Sequence, residues 1–195
     1  MSAPPSRTCA AERPAARIRD FAGDGRGTSS VEFALVALPF IAVLCVIFEA
    51  AFLFLSQQTL DVAVDRASRA LRTGEFQDRA DGTDPADRLR RIMCGRRTVF
   101  FRCDDLRLDL TRTGSFASNQ IPPAYDSQKK DFVVSFGTHF ECPEGSDVVA
   151  LRAAVPVTRP FSFLDVSGSA MAGGRQLLTT TAIFRTEPYS GKSCT

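Results

Sequence analysis

Tryptophan is absent from this 195-residue chain, and histidine occurs once, as His139. A hydrolytic triad would need that histidine beside a nucleophile and an orienting acid. Serines are plentiful, but no Gly-x-Ser-x-Gly elbow is present, and Val166-Ser167-Gly168-Ser169 reads as a loop. The chain is therefore expected to be neither an enzyme nor the holder of a cofactor. No Cys-x-x-Cys occurs, so a zinc site would need carboxylates or all thiolates at unusual spacing, and no metal is expected. Excess charge is missing too: 24 Lys and Arg stand against 22 Asp and Glu, for a net +2. Near-neutrality, with no tryptophan, argues against a nucleic-acid partner. No internal repeat is evident.

The run from Gly27 to Leu55, GTSSVEFALVALPFIAVLCVIFEAAFLFL, stands out. Phe33 to Phe48 carries no charged residue, and apolar character resumes from Ala50 to Leu55. Roughly 20 residues cross the hydrocarbon of a bilayer, so the run suffices with some tilt. Glu32 sits at its front edge. A carboxylate there is costly and points to function unless it reaches headgroup water. A secretory signal would have an apolar core of about 7–15 residues and a small-x-small site. This run is longer and no convincing Ala-x-Ala follows it. The leader, residues 1–27, is rich in Ala, Pro and Arg and reads as disordered. It carries Arg7, Arg13, Arg17, Arg19 and Arg26 against Glu12, Asp20 and Asp24. That basic excess favours a cytoplasmic N-terminus and an exported C-terminus.

The helical pattern does not stop at Leu55. Leu60, Val64, Ala67 and Leu71 form one apolar stripe, and Asp65 and Arg69 stand in the favourable i,i+4 order. Thr73-Gly74 is the expected stop. At 1.5 Å per residue such a helix is on the order of 65–70 Å long. Pro39, inside it, is tolerable because freed carbonyls find other partners in a membrane bundle. The stripe suits packing against the chain's own exported domain, with neighbouring subunits as the alternative. The membrane half has no second span to pack against, which favours neighbours. Glu49 lies about 30 Å along the helix from Thr28. There a solvated or interfacial carboxylate is favoured over a buried, partnered one, and Glu49 stands with Glu32 and Phe33 as an expected assembly residue.

Gly27, four residues, then Glu32-Phe33 and a long apolar helix resemble the processing site of a type IV prepilin of the Flp/Tad kind. The string SSVEFALVALPF, with Pro39 seven residues after Glu32, is similar to the start of the TadE-like pseudopilins. SQQTLDVAVDRASRALRTGEF continues that resemblance to about Thr73, and FRTEPY at Phe184–Tyr189 resembles, weakly, the ending of such ectodomains. The resemblance implies cleavage after Gly27 by a prepilin peptidase on the cytoplasmic side. The freed amine of Thr28 would lie about one helical turn from Glu32, within a chain or between chains. It also implies partners: other pilins or pseudopilins and inner-membrane Tad assembly proteins. The function it points to is a minor pilin of a Tad pilus and secretion apparatus. An uncleaved, TadG-like assembly factor or scaffold shares the segment and remains the alternative. A single-pass exported enzyme or ligand-binding domain is a further one.

Beyond the helix the expected fold class is α+β. A transmembrane and stalk helix over 28–74 leads into a small antiparallel-sheet ectodomain over 75–195. Glu75–Asp87 reads as a linker, with Asp81-Gly82 and Asp84-Pro85 as turn signals. Ala86–Cys94 reads as a short helix. Strands are expected at Thr98–Cys103, Leu106–Thr111, Phe132–Phe136, Val148–Val157 and Gln176–Arg185. Cys94, Cys103, Cys142 and Cys194 fall on the exported side and suit two disulfides, for which three connectivities exist. Cys94–Cys103, closing a short loop, and Cys142–Cys194, tying the tail to the sheet, are the expected pairs. Cys45, at lipid depth, is expected to stay a free thiol. Arg88, Arg90, Arg91, Arg96, Arg97 and Arg102 form a basic cluster, read as a solvated face with acids such as Asp104 and Asp105 nearby, or as a partner contact. Phe161 and Phe163 near Pro160 are expected to be buried edge residues.

Overall fold

The computed structural model describes residues 28–95, 100–114, 116, 122–161, 168–190, 193 and 194. They divide into two compact units, with the boundary inside one helix between Leu44 and Cys45.

Helix α1, Thr28–Arg72, is 45 residues long and contains Pro39. In its first part Phe33, Leu35, Val36, Leu38, Phe40, Ile41 and Val43 are all exposed. The most apolar window of the helix has a mean hydropathy of 2.7, and none of it is buried. An all-round apolar helix with nothing packed on it is stable only in a bilayer or among other helices. By length and composition this is the one described helix able to cross a membrane.

In the second unit the rest of α1 packs on a sheet. Leu60, Ala63, Val64, Ala67 and Leu71 are buried together with Leu108, Leu110, Val149, Leu151, Val155 and Leu178. The apolar stripe thus faces the chain's own ectodomain. The sheet is antiparallel, in the order β1 (Arg107–Thr113), β4 (Val148–Thr158), β6 (Arg175–Arg185), β5 (Ala170–Met171). The central strand β4 is buried from Val149 to Val157. Alternate residues face α1, while Ala154 on the other face meets Ala124, Phe132, Phe136, Met171 and Leu177. Burial on both faces explains why β4 reads as a nearly continuous apolar run. The free edge of β1 is partly covered: Leu110 N–H donates to His139 O at 3.0 Å, and Glu141 N–H to Leu110 O at 2.8 Å.

Three sequence expectations change. Glu75–Asp87 is no plain linker. Glu75–Asp78 forms a short helix, α2, with Phe76 1% exposed. The gain from burying a phenylalanine outweighs the turn chemistry around it. Helix α3 follows at Pro85–Cys94, with proline in its first turn and the Asp84 carboxylate accepting from Ala86 N at 2.7 Å. Phe132–Phe136 is not a strand. Only Asp131–Phe132 (β3) pairs, with Tyr125–Asp126 (β2). The chain then turns, Phe136 N–H donating to Val133 O at 2.9 Å. The turn brings the Phe132 and Phe136 rings to 6.1 Å, stacked, where an extended strand would hold them about 13 Å apart. Of Thr98–Cys103, residues 98 and 99 lie outside the described residues. Residues 100–102 form no strand, and Cys103–Asp105 is a 3-10 turn, shaped by the bond that ties Cys103 back to α3.

That bond is Cys94–Cys103, and the second disulfide is Cys142–Cys194. This is the expected connectivity. Cys45 is a free thiol.

Candidate functional site

The expected processing residues, Gly27 and Thr28, and two of the three expected assembly residues, Glu32 and Phe33, belong to the start of α1; the third, Glu49, lies further along it. Gly27 lies outside the described residues. Thr28 is the first residue of the helix, so a chain beginning there would begin as helix. Glu32 follows one turn later, a rise of about 6 Å. Glu32 and Phe33 are both exposed, Phe33 at 74%. No hydrogen bond or ion pair joins Glu32 to any described residue. The carboxylate and the aromatic ring beside it have no partner among the described residues of their unit.

Glu49 is a different case, and here the expectation of a solvated carboxylate is overturned. Glu49 is 4% exposed, and Arg159 covers it. Arg159 Nε donates to Glu49 Oε1 at 2.8 Å, and Arg159 itself is 7% exposed. Arg159 follows the last residue of β4, and its N–H donates to Gly174 O at 3.0 Å. The backbone is therefore fixed where the guanidinium must stand. Glu49 Oε2 and Arg159 Nη2 are buried without a hydrogen bond. Two charges leave water only when paired. The pair thus holds one end of the sheet to α1. A hint was present in the sequence: an acid within an apolar helix calls for a partner, and Arg159 stands alone at the end of a long apolar strand.

The other end of the same packing is closed by the tail. Glu187 N–H donates to Arg72 O, an otherwise orphaned carbonyl at the helix C-terminus, at 2.9 Å. Gly74, at φ 79°, ends α1, and the Tyr189 ring packs against it. Gln77 Nε2 donates to Tyr189 Oη at 2.9 Å and to Pro143 O at 3.1 Å. Burial pushes the Tyr189 hydroxyl pKa up. The FRTEPY segment is thus a clamp on the stalk's distal end. From Glu49 to Arg72 is about 34 Å of helix, and β4 spans about the same length. The ion pair and the tail clamp fasten matched ends.

The basic cluster splits. Arg88 is 6% exposed, lies 4.1 Å over the Phe76 ring, and donates through Nη2 to Phe76 O and Cys194 O. It is therefore not part of a solvated face. A short helix packed over it withdraws it from water, and the ring and two carbonyls replace that water. Arg90 pairs with Asp87, Arg91 with Asp81 at 3.5 Å, and Arg102 with Asp105 at 3.5 Å. Arg96 and Arg97 lie outside the described residues. The Thr83 hydroxyl and N–H, both donating to Asp81, hold that carboxyl below its ordinary pKa, and Arg91 and Arg88 add to the effect. Phe161 is 40% exposed rather than buried, because β4 has ended and the chain leaves the sheet. Phe163 lies outside the described residues.

His139 stands exposed beside the Thr138 hydroxyl at 3.3 Å and Asp109 Oδ1 at 3.8 Å. Asp109 Oδ1 is already occupied by Gly137 N–H and His139 N–H, so it shapes the β1 edge. Among the described residues no cluster of His, Cys, Asp and Glu could hold a metal ion.

Residues 27–69 match the family model described as TadE-like protein. The match covers the helix start, Glu32, Glu49 and most of the stripe, and ends before the clamp. No curated protein and no solved structure matches the chain.

Proposed function

We propose that the chain is a minor pilin-like or pseudopilin-like structural component of a Tad (Flp) pilus assembly and secretion apparatus, matured by a prepilin peptidase after Gly27. Its role is structural rather than enzymatic. The carrying observation is an apolar TadE-like helix with no buried residue in its most apolar window, opened by a carboxylate that has no partner among the described residues. Such a helix needs company from outside its unit. The helix sits in the inner membrane, with the N-terminus cytoplasmic and the ectodomain in the periplasm, as the basic leader favours. Similar helices of other pilins and of Tad assembly proteins pack along it. Cleavage frees the amine of Thr28, and Glu32, from the same or an adjacent chain, neutralises it. An unpaired charge costs about 2.5–3.5 kcal/mol at mid-bilayer depth on insertion scales and less at the front edge where Glu32 sits; pairing offsets that cost and sets axial register.

Intact mass and the N-terminal residue of the membrane-extracted protein test the processing step. A mature chain beginning at Thr28 is expected, and Gly27→Leu is expected to accumulate as an inserted precursor. A wild-type chain that keeps its leader would favour the uncleaved, TadG-like scaffold instead. Glu32→Gln is expected to be cut, inserted and oxidised normally, yet to lose co-purification with pilus components. Equal association would make Glu32 a plain interfacial carboxylate.

A further inference from the structure

Near the Glu49–Arg159 pair, the ectodomain presents aromatic and basic side chains to the outside. Phe100 is 41% exposed and Phe161 40%. The Phe100 ring meets Phe52 of α1 edge-on at 6.4 Å, and Phe100 O accepts from Ser56 Oγ at 3.3 Å. Ser56 is the first polar residue after Leu55, where the apolar run ends. These contacts fix Phe100 at the level of the last apolar turn of α1. An open cavity of about 420 Å³ lies there, lined by Phe52, Phe100, Arg102, Asp105, Val157 and Arg175 among others. The Arg102 side chain is 78% exposed, with the Asp105 carboxylate 3.5 Å away. Arg175 Nε donates to Ala172 O at 3.4 Å. Phe54, on the same turn of α1 as Phe52, is 63% exposed.

We propose that this end of the ectodomain rests in the outer headgroup layer of the bilayer, with Phe100 at the boundary between acyl chains and headgroups and the Arg102 and Arg175 side chains reaching up to phospholipid phosphates. The inference relies on the reading of α1 as a membrane span. It follows from level and chemistry. Where a spanning helix leaves the hydrocarbon, side chains with apolar bodies and charged tips are favoured. Arginine forks match phosphate oxygens, and each basic group near an anionic surface adds to binding. The buried pair just below makes the arrangement possible. Glu49 and Arg159 neutralise each other, so the end of β4 can approach lipid without carrying a bare charge into it.

The lack of tryptophan gives a clean test. Three single-tryptophan variants of the full chain, Phe100→Trp, Phe40→Trp and Ile183→Trp, would be reconstituted in phosphatidylcholine vesicles with and without phosphatidylglycerol. Quenching by lipids brominated at shallow or deep acyl positions would then be read. Phe40 lies within the apolar helix. Ile183, on β6, is about 26 Å along the strand from Arg175. The Phe40→Trp emission is expected to be quenched by deep bromines. Phe100→Trp is expected to shift to the blue and lose about half of its emission to shallow bromines, as an interfacial aromatic does. Ile183→Trp should be unaffected. Adding phosphatidylglycerol should deepen the Phe100→Trp quenching, and Arg102→Gln with Arg175→Gln should abolish that increase. Quenching at Phe40→Trp without quenching at Phe100→Trp would overturn the docking while leaving the span intact. No quenching at Phe40→Trp would remove the span and the docking with it. Shallow quenching that ignores phosphatidylglycerol and both arginines would overturn the phosphate contacts.

Discussion

Replacing Glu49 by leucine should damage the ectodomain, and replacing Arg159 by methionine as well should repair most of the damage. Both side chains are more than nine-tenths buried and joined at 2.8 Å. Removing either partner strands the other charge where water cannot reach it, and such deletions cost about 3–5 kcal/mol. For a domain of this size a kilocalorie moves the melting temperature by about 2–4 °C, so each single variant should melt roughly 6–20 °C lower. The double variant, Glu49→Leu with Arg159→Met, places two apolar chains of similar volume in the same space. Buried pairs replaced in this way are often neutral or stabilised by about 1–4 kcal/mol. Glu49 Oε2 and Arg159 Nη2 already lack hydrogen bonds, which adds to what the double variant recovers. The assay is a double-mutant cycle on the full chain in micelles, following loss of sheet signal by circular dichroism. A coupling energy of several kcal/mol is expected. Singles that melt with the wild type, or a double variant that falls by the sum of the singles, would refute the ion pair as the fastening between sheet and helix.

Other consequences follow from the clamp, the disulfides and the α2–α3 turn. A Cβ on Gly145 would stand 2.3 Å from Tyr189 O, so Gly145→Ala should cost about 1–3 kcal/mol in urea unfolding. Gly114→Ala, with nothing within 4 Å, should cost far less. On the chain-entropy account, opening Cys142–Cys194, 52 residues apart, should cost about 4 kcal/mol, and opening Cys94–Cys103, 9 apart, about 2.7. Serine pairs at each site, compared by unfolding midpoint, check that order. The Asp81 carboxyl should titrate below its ordinary pKa, and Thr83→Val should bring it back up, as read by carboxyl carbon shifts. Because the folded pKa is depressed, Asp81 favours the folded state above its unfolded pKa, and this is lost as pH falls through the folded value.

The long helix, its stop at Thr73-Gly74 and the strands β1, β4 and β6 were legible because their signals are periodic and local. A stripe at Leu60, Val64, Ala67 and Leu71, or an alternation at Leu106–Thr111, needs no knowledge of distant residues. The two disulfides were legible from which side of the span each cysteine occupies and from loop length. What misled was any residue whose state depends on a distant partner. Glu49 looked solvated because Arg159, 110 residues away, leaves no mark near it. Arg88 looked like one member of a charged face because, besides Asp81 at 3.6 Å, its partners are a ring and two carbonyls, one of them in the tail. Phe132–Phe136 has strand composition, but stacking the two rings under the sheet required a turn. Thr98–Cys103 has strand composition, but the Cys94–Cys103 bond holds its end next to α3.

The two carboxylates of the apolar helix show what sequence alone could not separate. Each is an acid in an apolar setting, and each invites the same inference that a counter-charge must exist. The fold supplies that charge for Glu49 from its own chain and supplies none for Glu32 among the described residues. The difference assigns them different work. A carboxylate satisfied within its own unit contributes to the stability of every copy, assembled or not, and its loss should be felt first in unfolding. A carboxylate without such a partner adds nothing to that stability, and its loss should be felt only where chains meet. The two substitutions, Glu49→Leu and Glu32→Gln, should therefore fail in opposite assays. The first should melt early, while whatever remains folded keeps an intact helix start. The second should melt with the wild type and still lose its partners. If Glu32→Gln lowered the melting temperature of the purified chain as Glu49→Leu does, Glu32 would have a partner within the chain, and the case for assembly through it would fail.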